Sequence, residues 1–442
     1  MLKRDGGILK IEEVSCVKLA EKYGTPLFVY SEKKIRENCR TFYNAFKKRY
    51  PNEVVVCVGF KANYNLALRK IVIQEGCGGD CFGYEMYLAI LTGQDPEKTV
   101  LNGPGKSEEI IRLAIHYGAY INIDSSNELE RVNKIAQELK KTAKICPRIR
   151  LPLKDLEGRL FFDKRYTQGI DIAKWEREFK FGIEPDKLFE VIEKALKANY
   201  LKLEGLHYHG GLPRRAGFFK EEILELMDYI GYIKEKFNWE PKILNIGGGF
   251  LSPREGYEKH PPTIDEYAEV ITNTILNKCN EYKISPPRLY IEPGRWHWEN
   301  AAIYLVRVIE IKEDTTLAKK KWVYTDGSIN ELCDPFDPFM GYHKVVIANR
   351  LPEESKEVVD ICGQLCNAAD IIAKNVEVPL IREGDLLALM DVGAYNESFA
   401  NQSNAKPRSA AVLVNGEYEA LIKRRETYQD IINRDLIPYW LA

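Results

Sequence analysis

The 442-residue sequence has no excess of either charge: 64 Lys and Arg stand against 65 Asp and Glu, a formal net charge of -1. A near-neutral chain lacks the basic footprint that holds nucleic acid or an anionic membrane surface, so neither is expected as a partner. No apolar run approaches the roughly 18 residues needed to span a bilayer. The first fourteen residues, MLKRDGGILKIEEV, contain no apolar signal core, so export is not expected and a cytoplasmic location is. Histidine is scarce, at six. There are ten cysteines, but only Cys77 with Cys81 and Cys362 with Cys366 lie close together, without the tight pairing of a zinc site. Reduced thiols and no metal are the expectation. Short internal repeats and low-complexity tracts are absent too.

What is present is ordinary globular composition, 45% hydrophobic and 29% charged. A chain this long is expected to form two domains, each with its own core. From about residue 25 to 285, short apolar runs alternate with amphipathic helical stretches. The runs include residues 54–58, 120–123, 145–151, 203–206, 243–246 and 289–291; the helical stretches include 85–92, 126–141 and 187–198. Such alternation fits a parallel (β/α)8 barrel, with a doubly wound open sheet as the alternative that periodicity leaves open. After residue 300 the pattern turns to strands at 303–311, 322–325, 357–361, 386–390 and 410–414, a β domain joined by the strand-like stretch 26–30. The expected division is an N-terminal segment 1–34 belonging to the β domain, a barrel over 35–295, and a C-terminal β domain over 296–442.

Several short segments carry groups with chemistry. Lys61 follows an apolar strand, where a lysine would sit on the catalytic rim of a barrel; desolvation there lowers an amine pKa and makes it nucleophilic. A surface lysine just past a strand end is the plainer alternative. Gly247, Gly248 and Gly249 follow another strand, and backbone without side chains can surround a phosphate, or simply make a tight turn. No lysine and hydroxyl of a P-loop accompany them. His207 and His209 share one face of a strand and suit a metal, an aromatic cofactor or a polar core. Glu292 and Arg295, in Glu-Pro-Gly-Arg, could protonate a pyridine nitrogen and clamp an anion, or pair with each other. Cys366 lies in a turn of the β domain, and Tyr395 follows a strand in Gly-Ala-Tyr.

Taken in order, these segments resemble the fold type III pyridoxal-phosphate-dependent decarboxylases, in particular the diaminopimelate decarboxylases. The resemblance runs from about residue 22 to 440 and includes Gly24 to Tyr30, Asn102 to Ser107, Lys180-Phe181-Gly182 and Arg425 to Tyr428. It implies a barrel binding pyridoxal 5'-phosphate, a β domain that completes the site, and a homodimer with shared active sites. It assigns Lys61 to the Schiff base and His209 to the cofactor ring. The three glycines, Arg295 and Tyr395 go to the phosphate, Glu292 to the pyridinium nitrogen, and Cys366, offered by the partner subunit, to proton return. The implied reaction is decarboxylation of meso-diaminopimelate to L-lysine, or of a related diamino acid. An ornithine- or lysine-type decarboxylase, an amino-acid racemase and a non-catalytic homologue are the alternatives.

Departures from the family pattern cluster on the substrate side. The family's Cys-Glu-Ser is here Cys366-Asn367-Ala368, so the charge that would meet a distal amine is gone. Where the family has Arg-Pro-x-Leu-Tyr, this chain has Asp334-Pro335-Phe336-Asp337-Pro338. An aspartate in place of a carboxylate-binding arginine inverts the preference, toward a distal ammonium. Asp334, Asn367, Arg295 and Tyr395 are the candidate substrate-binding residues. Nearer the cofactor, His-Ile-Gly-Ser becomes His209-Gly210-Gly211-Leu212, and the segment from Asp80 to Glu85 is one residue short.

Overall fold

The structure, a computed structural model, describes residues 1–151, 179–211, 215–253, 262–334 and 343–441. These form two compact units, one of residues 36–253 and 262–297, the other of residues 1–35 and 298–441.

The first unit is an eight-stranded parallel barrel. Its strands are β1 (Val54–Gly59), β2 (Gly78–Cys81), β3 (Thr99–Leu101), β4 (Tyr120–Ile123), β5 (Ala143–Pro147), β6 (Leu201–Leu203 with Gly205–His207), β7 (Ile243–Asn245) and β8 (Arg288–Ile291). β8 returns to β1 with Leu289 opposite Val54. β6 is one strand interrupted at Glu204; its first half pairs with β5 and its second with β7. A parallel bridge between Arg148 and His207 closes the remaining gap. That closure decides for the barrel over the open sheet.

The helices owe their starts to residues in the loops after the strands. Ser107 accepts a hydrogen bond from the N–H of Ile110 and opens the helix Glu108–Tyr117, which buries Ile110, Ile111, Ala114 and Ile115 along one face. Gly118, at φ +86, ends it by donating to the carbonyl of Ala114. Ser125 caps Ser126–Leu139 in the same way, and Thr263 with Glu266 forms a capping box on Ile264–Tyr282. Inside the barrel, Val55, Cys57, Val100, Tyr120, Cys146, Ile243 and Tyr290 pack as one cluster. At its N-terminal end the rings of Tyr120 and Tyr290 meet edge-on at 5.8 Å. Their phenols are tied off: Tyr290 donates to the carbonyl of Glu97 at 2.7 Å, and Arg288 donates to Tyr120 at 3.0 Å.

In the second unit, the N-terminal strand Leu27–Ser31 lies between Ala302–Asp314, antiparallel, and Ala410–Asn415, parallel. All five of its residues are buried, which is why it reads as a strand although it lies far from its partners in sequence. The long strand Ala302–Asp314 pairs with Leu386–Met390 along its first half and with Lys320–Thr325 along its second. Leu27, Val29, Ile303, Leu305, Leu386, Ala388 and Val412 are among the residues of its core. The sequence pattern missed the strand Ile371–Pro379. There Asn375, at φ +51, and register shifts against Lys356–Cys362 break the alternation that would reveal it. It also missed the N-terminal meander Leu2–Asp5, Ile8–Ile11 and Val14–Ser15, whose strands are too short to show a period. Among the described residues, no helix is long and apolar enough to cross a membrane.

Candidate active site

The C-terminal rim of the barrel collects one polar or charged group from each strand or the loop after it. Lys61 comes from β1, Asp80 from β2, Asn102 from β3 and Asn122 from β4; Arg148, His207, Asn245 and Glu292 follow from β5 to β8. Lys61 is exposed and its position is fixed from below. Phe60 is fully buried and donates its N–H to the carbonyl of Asp80 at 2.9 Å, while Gly59 donates to the carbonyl of Pro293 at 3.1 Å.

Glu292 is the hub of this rim. Its Oε1 accepts from Asn245 Nδ2 at 2.6 Å and from Asn102 Nδ2 at 2.9 Å. Asn102 also donates to Asp80 at 2.6 Å and accepts from Asn122 at 2.6 Å. The other oxygen, Oε2, is buried without a hydrogen bond and lies 3.4 Å from His207 Nε2. Burial presses the Glu292 carboxyl upward, but His207 and the two amide donors outweigh it and hold the group below the usual carboxylate range. Burial pulls His207 down, leaving the imidazole neutral near pH 7. For Asp80, removal from water and then the charge of Glu292 push the carboxyl up to about 8; Lys61 is close enough to oppose that rise. Of the two carboxyls joined by Asn102, one is therefore ionised and the other protonated at neutral pH.

The glycine triplet packs where no side chain fits. A Cβ on Gly247, which sits at φ +67, would lie 2.6 Å from His209 Cβ, and one on Gly248 would lie 2.2 Å from the carbonyl oxygen of Glu292. The N–H of Gly247 is committed to Asn245 Oδ1 at 2.9 Å, so this residue serves the turn by its left-handed backbone and its lack of a side chain. His209 accepts the N–H of Gly211 at Nδ1, 2.9 Å away, which places the proton of a neutral ring on Nε2. Arg148 donates to the carbonyl of His209 at 3.1 Å and stacks on Phe181 at 4.6 Å. Arg295 is buried and opens the short helix Arg295–Trp298. Lys106, in the Asn-Gly-Pro-Gly-Lys-Ser segment, is a buried brace: it donates to the carbonyls of Gly103 and Asn122 and to Glu128 at 2.6, 2.7 and 2.8 Å.

The second unit carries the remaining candidates. A Cβ on Gly393 would lie 1.9 Å from the carbonyl oxygen of Trp298, so only glycine permits the approach that leads into Tyr395. Tyr395 holds φ +60, a left-handed conformation costing about 1 kcal/mol for a residue with a Cβ, and meets Phe399 at 6.3 Å. Next to it, Asn396 Oδ1 accepts the N–H of Asp334 at 3.2 Å. Cys366 and Asn367 are exposed in the turn 363–370. Asp370 organises that turn, accepting from Leu365 at 2.7 Å and from Ile329 at 2.9 Å. Asp337 and Leu212 lie outside the described residues. Thus Lys61, His209, the glycine triplet, Glu292 and Arg295 gather on the barrel, and Asp334, Cys366, Asn367 and Tyr395 on loops of the second unit.

Sequence reasoning passed over Asn122, Arg148 and Asn245. Their signal was a polar residue at an inward position of an otherwise apolar strand, as in Tyr-Ile-Asn-Ile and Ile-Leu-Asn-Ile.

A family model described as pyridoxal-dependent decarboxylase, pyridoxal binding domain, matches residues 32–298. The chain belongs to the pyridoxal-dependent decarboxylases. It is 33% identical over 440 residues to the diaminopimelate decarboxylase of Methanothermobacter thermautotrophicus, covering 98% of this chain and 97% of that one. It is 34% identical over 434 residues to that of Methanocaldococcus jannaschii, covering 97% and 95%. A crystal structure of the M. jannaschii diaminopimelate decarboxylase superposes with a TM-score of 0.90 at 33% identity, covering 100% of this chain and 99% of that one. The structure of that enzyme with L-lysine gives a TM-score of 0.89, also at 33% identity and the same coverage.

The rim of this decarboxylase fits pyridoxal phosphate. The buried Glu292 Oε2, without a hydrogen bond, suits a protonated ring nitrogen, and the triplet leaves backbone bare of side chains for a phosphate. Lys61 presents an exposed primary amine at the same end of the barrel.

Proposed function

We propose that this decarboxylase converts meso-diaminopimelate to L-lysine and carbon dioxide. The observation that carries the reading is Glu292, ionised, buried and left with one oxygen free of hydrogen bonds on the rim that also presents Lys61. The full-length similarity to diaminopimelate decarboxylases supports the substrate.

Bound pyridoxal phosphate supplies an electron sink for the pair left behind when carbon dioxide departs. The protein's part is to hold and to move protons. Lys61 would hold the cofactor through its exposed primary amine. Glu292 would keep a proton on the ring nitrogen, because a buried carboxylate stabilises a neighbouring cation. His209, with its proton on Nε2, serves the ring, while the triplet 247–249 and Arg295 serve the phosphate. One carbon–carbon bond breaks, its electron pair stays on carbon, and one proton returns there. By family resemblance we assign that proton to Cys366 from a partner subunit, Tyr395 to the phosphate, and Asp334 and Asn367 to the substrate. The same resemblance supports a cytoplasmic homodimer and the functional division into 1–34, 35–295 and 296–442.

The test is carbon dioxide release by enzyme loaded with pyridoxal phosphate, given meso-diaminopimelate, or D- or L-ornithine or lysine. We expect release from meso-diaminopimelate with one L-lysine formed per carbon dioxide. Racemisation without carbon dioxide would overturn the decarboxylase reading. Turnover of ornithine or lysine alone would overturn the substrate.

Asp334 favours that second outcome, since its carboxylate stands where the family's arginine would grip a distal carboxylate. In that case Asp334→Ala raises KM for the diamine substrate and leaves kcat near wild type; an unchanged KM removes Asp334 from substrate recognition.

A further inference from the structure

Behind the rim lies a cluster that the decarboxylase chemistry does not use. Cys39 of the helix Glu32–Lys47, Cys77 just before β2 and His297 of the helix Arg295–Trp298 bring two sulfurs and a ring nitrogen within 4.8 Å of one another. All three are buried, at 1%, 5% and 0% exposure. Both ring nitrogens of His297 are buried without a hydrogen bond, a costly state for an imidazole with no ligand. Each backbone is held in place. Asn38 donates to the carbonyl of His297 at 3.2 Å, Gln94 donates to that of Cys77 at 2.9 Å, and the N–H of Cys77 donates to Val72 at 3.0 Å. The ring of Phe42 stands 5.3 Å from that of His297.

We propose that Cys39, Cys77 and His297 form a binding site for a thiophilic d10 cation, Zn2+ or Cu+. Two thiolates and an imidazole are the soft donor set such ions select. Full burial suits a structural ion, and the three donors supply three of the four ligands that a structural Zn2+ takes. Binding replaces the thiol protons, which leave to solvent, and joins each sulfur and one ring nitrogen to the ion. With Zn2+ the site becomes neutral; with Cu+ it carries one negative charge, and the buried guanidinium of Arg69 is among the groups whose field reaches Cys77. The ion would cross-link the helix carrying Cys39, the entry to β2 and the segment that follows Arg295. Sequence spacing hid the site, because its ligands come from three distant stretches of chain.

The test uses the full enzyme, reduced and stripped with chelator, then given Zn2+ or, under anaerobic conditions, Cu+. We expect about one equivalent of one of these ions per chain to survive dialysis and to raise Tm by about 4 °C or more. Cys39→Ser and Cys77→Ser should each abolish both effects, and Cys279→Ser should abolish neither. Cobalt gives a second readout on the wild-type enzyme, a sulfur-to-metal charge-transfer band. Failure of the wild-type enzyme to retain either ion overturns the proposal, with no variant needed. So does retention by Cys77→Ser, or a Cys39–Cys77 disulfide in place of metal.

Discussion

The two ends of the barrel are built from the same eight strands by opposite rules. At the N-terminal end the two phenols inside the barrel are satisfied by protein: Tyr290 by Glu97, and Tyr120 by Arg288. At the C-terminal rim, polar groups come in from all sides and several are left over, among them Glu292 Oε2, Asn122 Oδ1 and the ring nitrogens of His207. The first arrangement stabilises the fold and leaves nothing for a ligand. The second tolerates a buried carboxylate without a full set of donors, and joins it through Asn102 to a second carboxyl that must stay protonated. A fold that concentrates its unsatisfied polarity at one end has its chemistry there.

Substitutions at the two ends should separate activity from stability. Lys61→Ala should cause the largest loss, on the order of 10^3-fold or more in kcat, while its exposed side chain leaves Tm almost unchanged. Glu292→Gln should lower kcat by about 10^2-fold, because a neutral amide no longer favours a protonated ring nitrogen. Its Tm should fall slightly, because the fold holds the ionised carboxyl below its usual range; a large fall in Tm would show that Glu292 is chiefly structural. Tyr290→Phe, at the other end, should reverse the pattern: about 1 kcal/mol of stability lost in urea unfolding, with kcat unchanged.

The smallest effect concerns pH. Asp80 rises from its usual 3.8 to about 8 on folding, so between those values the folded state holds a proton that the unfolded chain has lost. Stability therefore falls as pH rises through that window. Asp80→Asn should flatten this part of the curve in melts across the range, and an unaltered slope would mean that Asp80 ionises normally.

Much of this was legible before any coordinates. The strand–helix alternation read as a barrel, and the N-terminal strand was visible as the stretch 26–30 because the buried residues Leu27 to Tyr30 leave an unbroken apolar run. Lys61, the glycine triplet and Glu292 could be found because each ends an apolar strand. Asn102, Asn122 and Asn245 were harder, since a polar residue in an apolar strand is a weak signal until the strands close and their side chains link up around Glu292. Cys39, Cys77 and His297 left no trace in the sequence, because only the tertiary fold brings three remote segments within one coordination distance. Asp80 was read only as part of a shortened segment; its role as the protonated partner depends on a neighbour that arrives from β8.

On this reading the polar rim holds the cofactor through Lys61. Borohydride reduction of enzyme loaded with pyridoxal phosphate, followed by proteolysis and mass analysis, tests it directly. The account predicts a phosphopyridoxyl adduct on the peptide containing Lys61 and on no other lysine. An adduct on a different lysine, or none on enzyme that releases carbon dioxide, would contradict it.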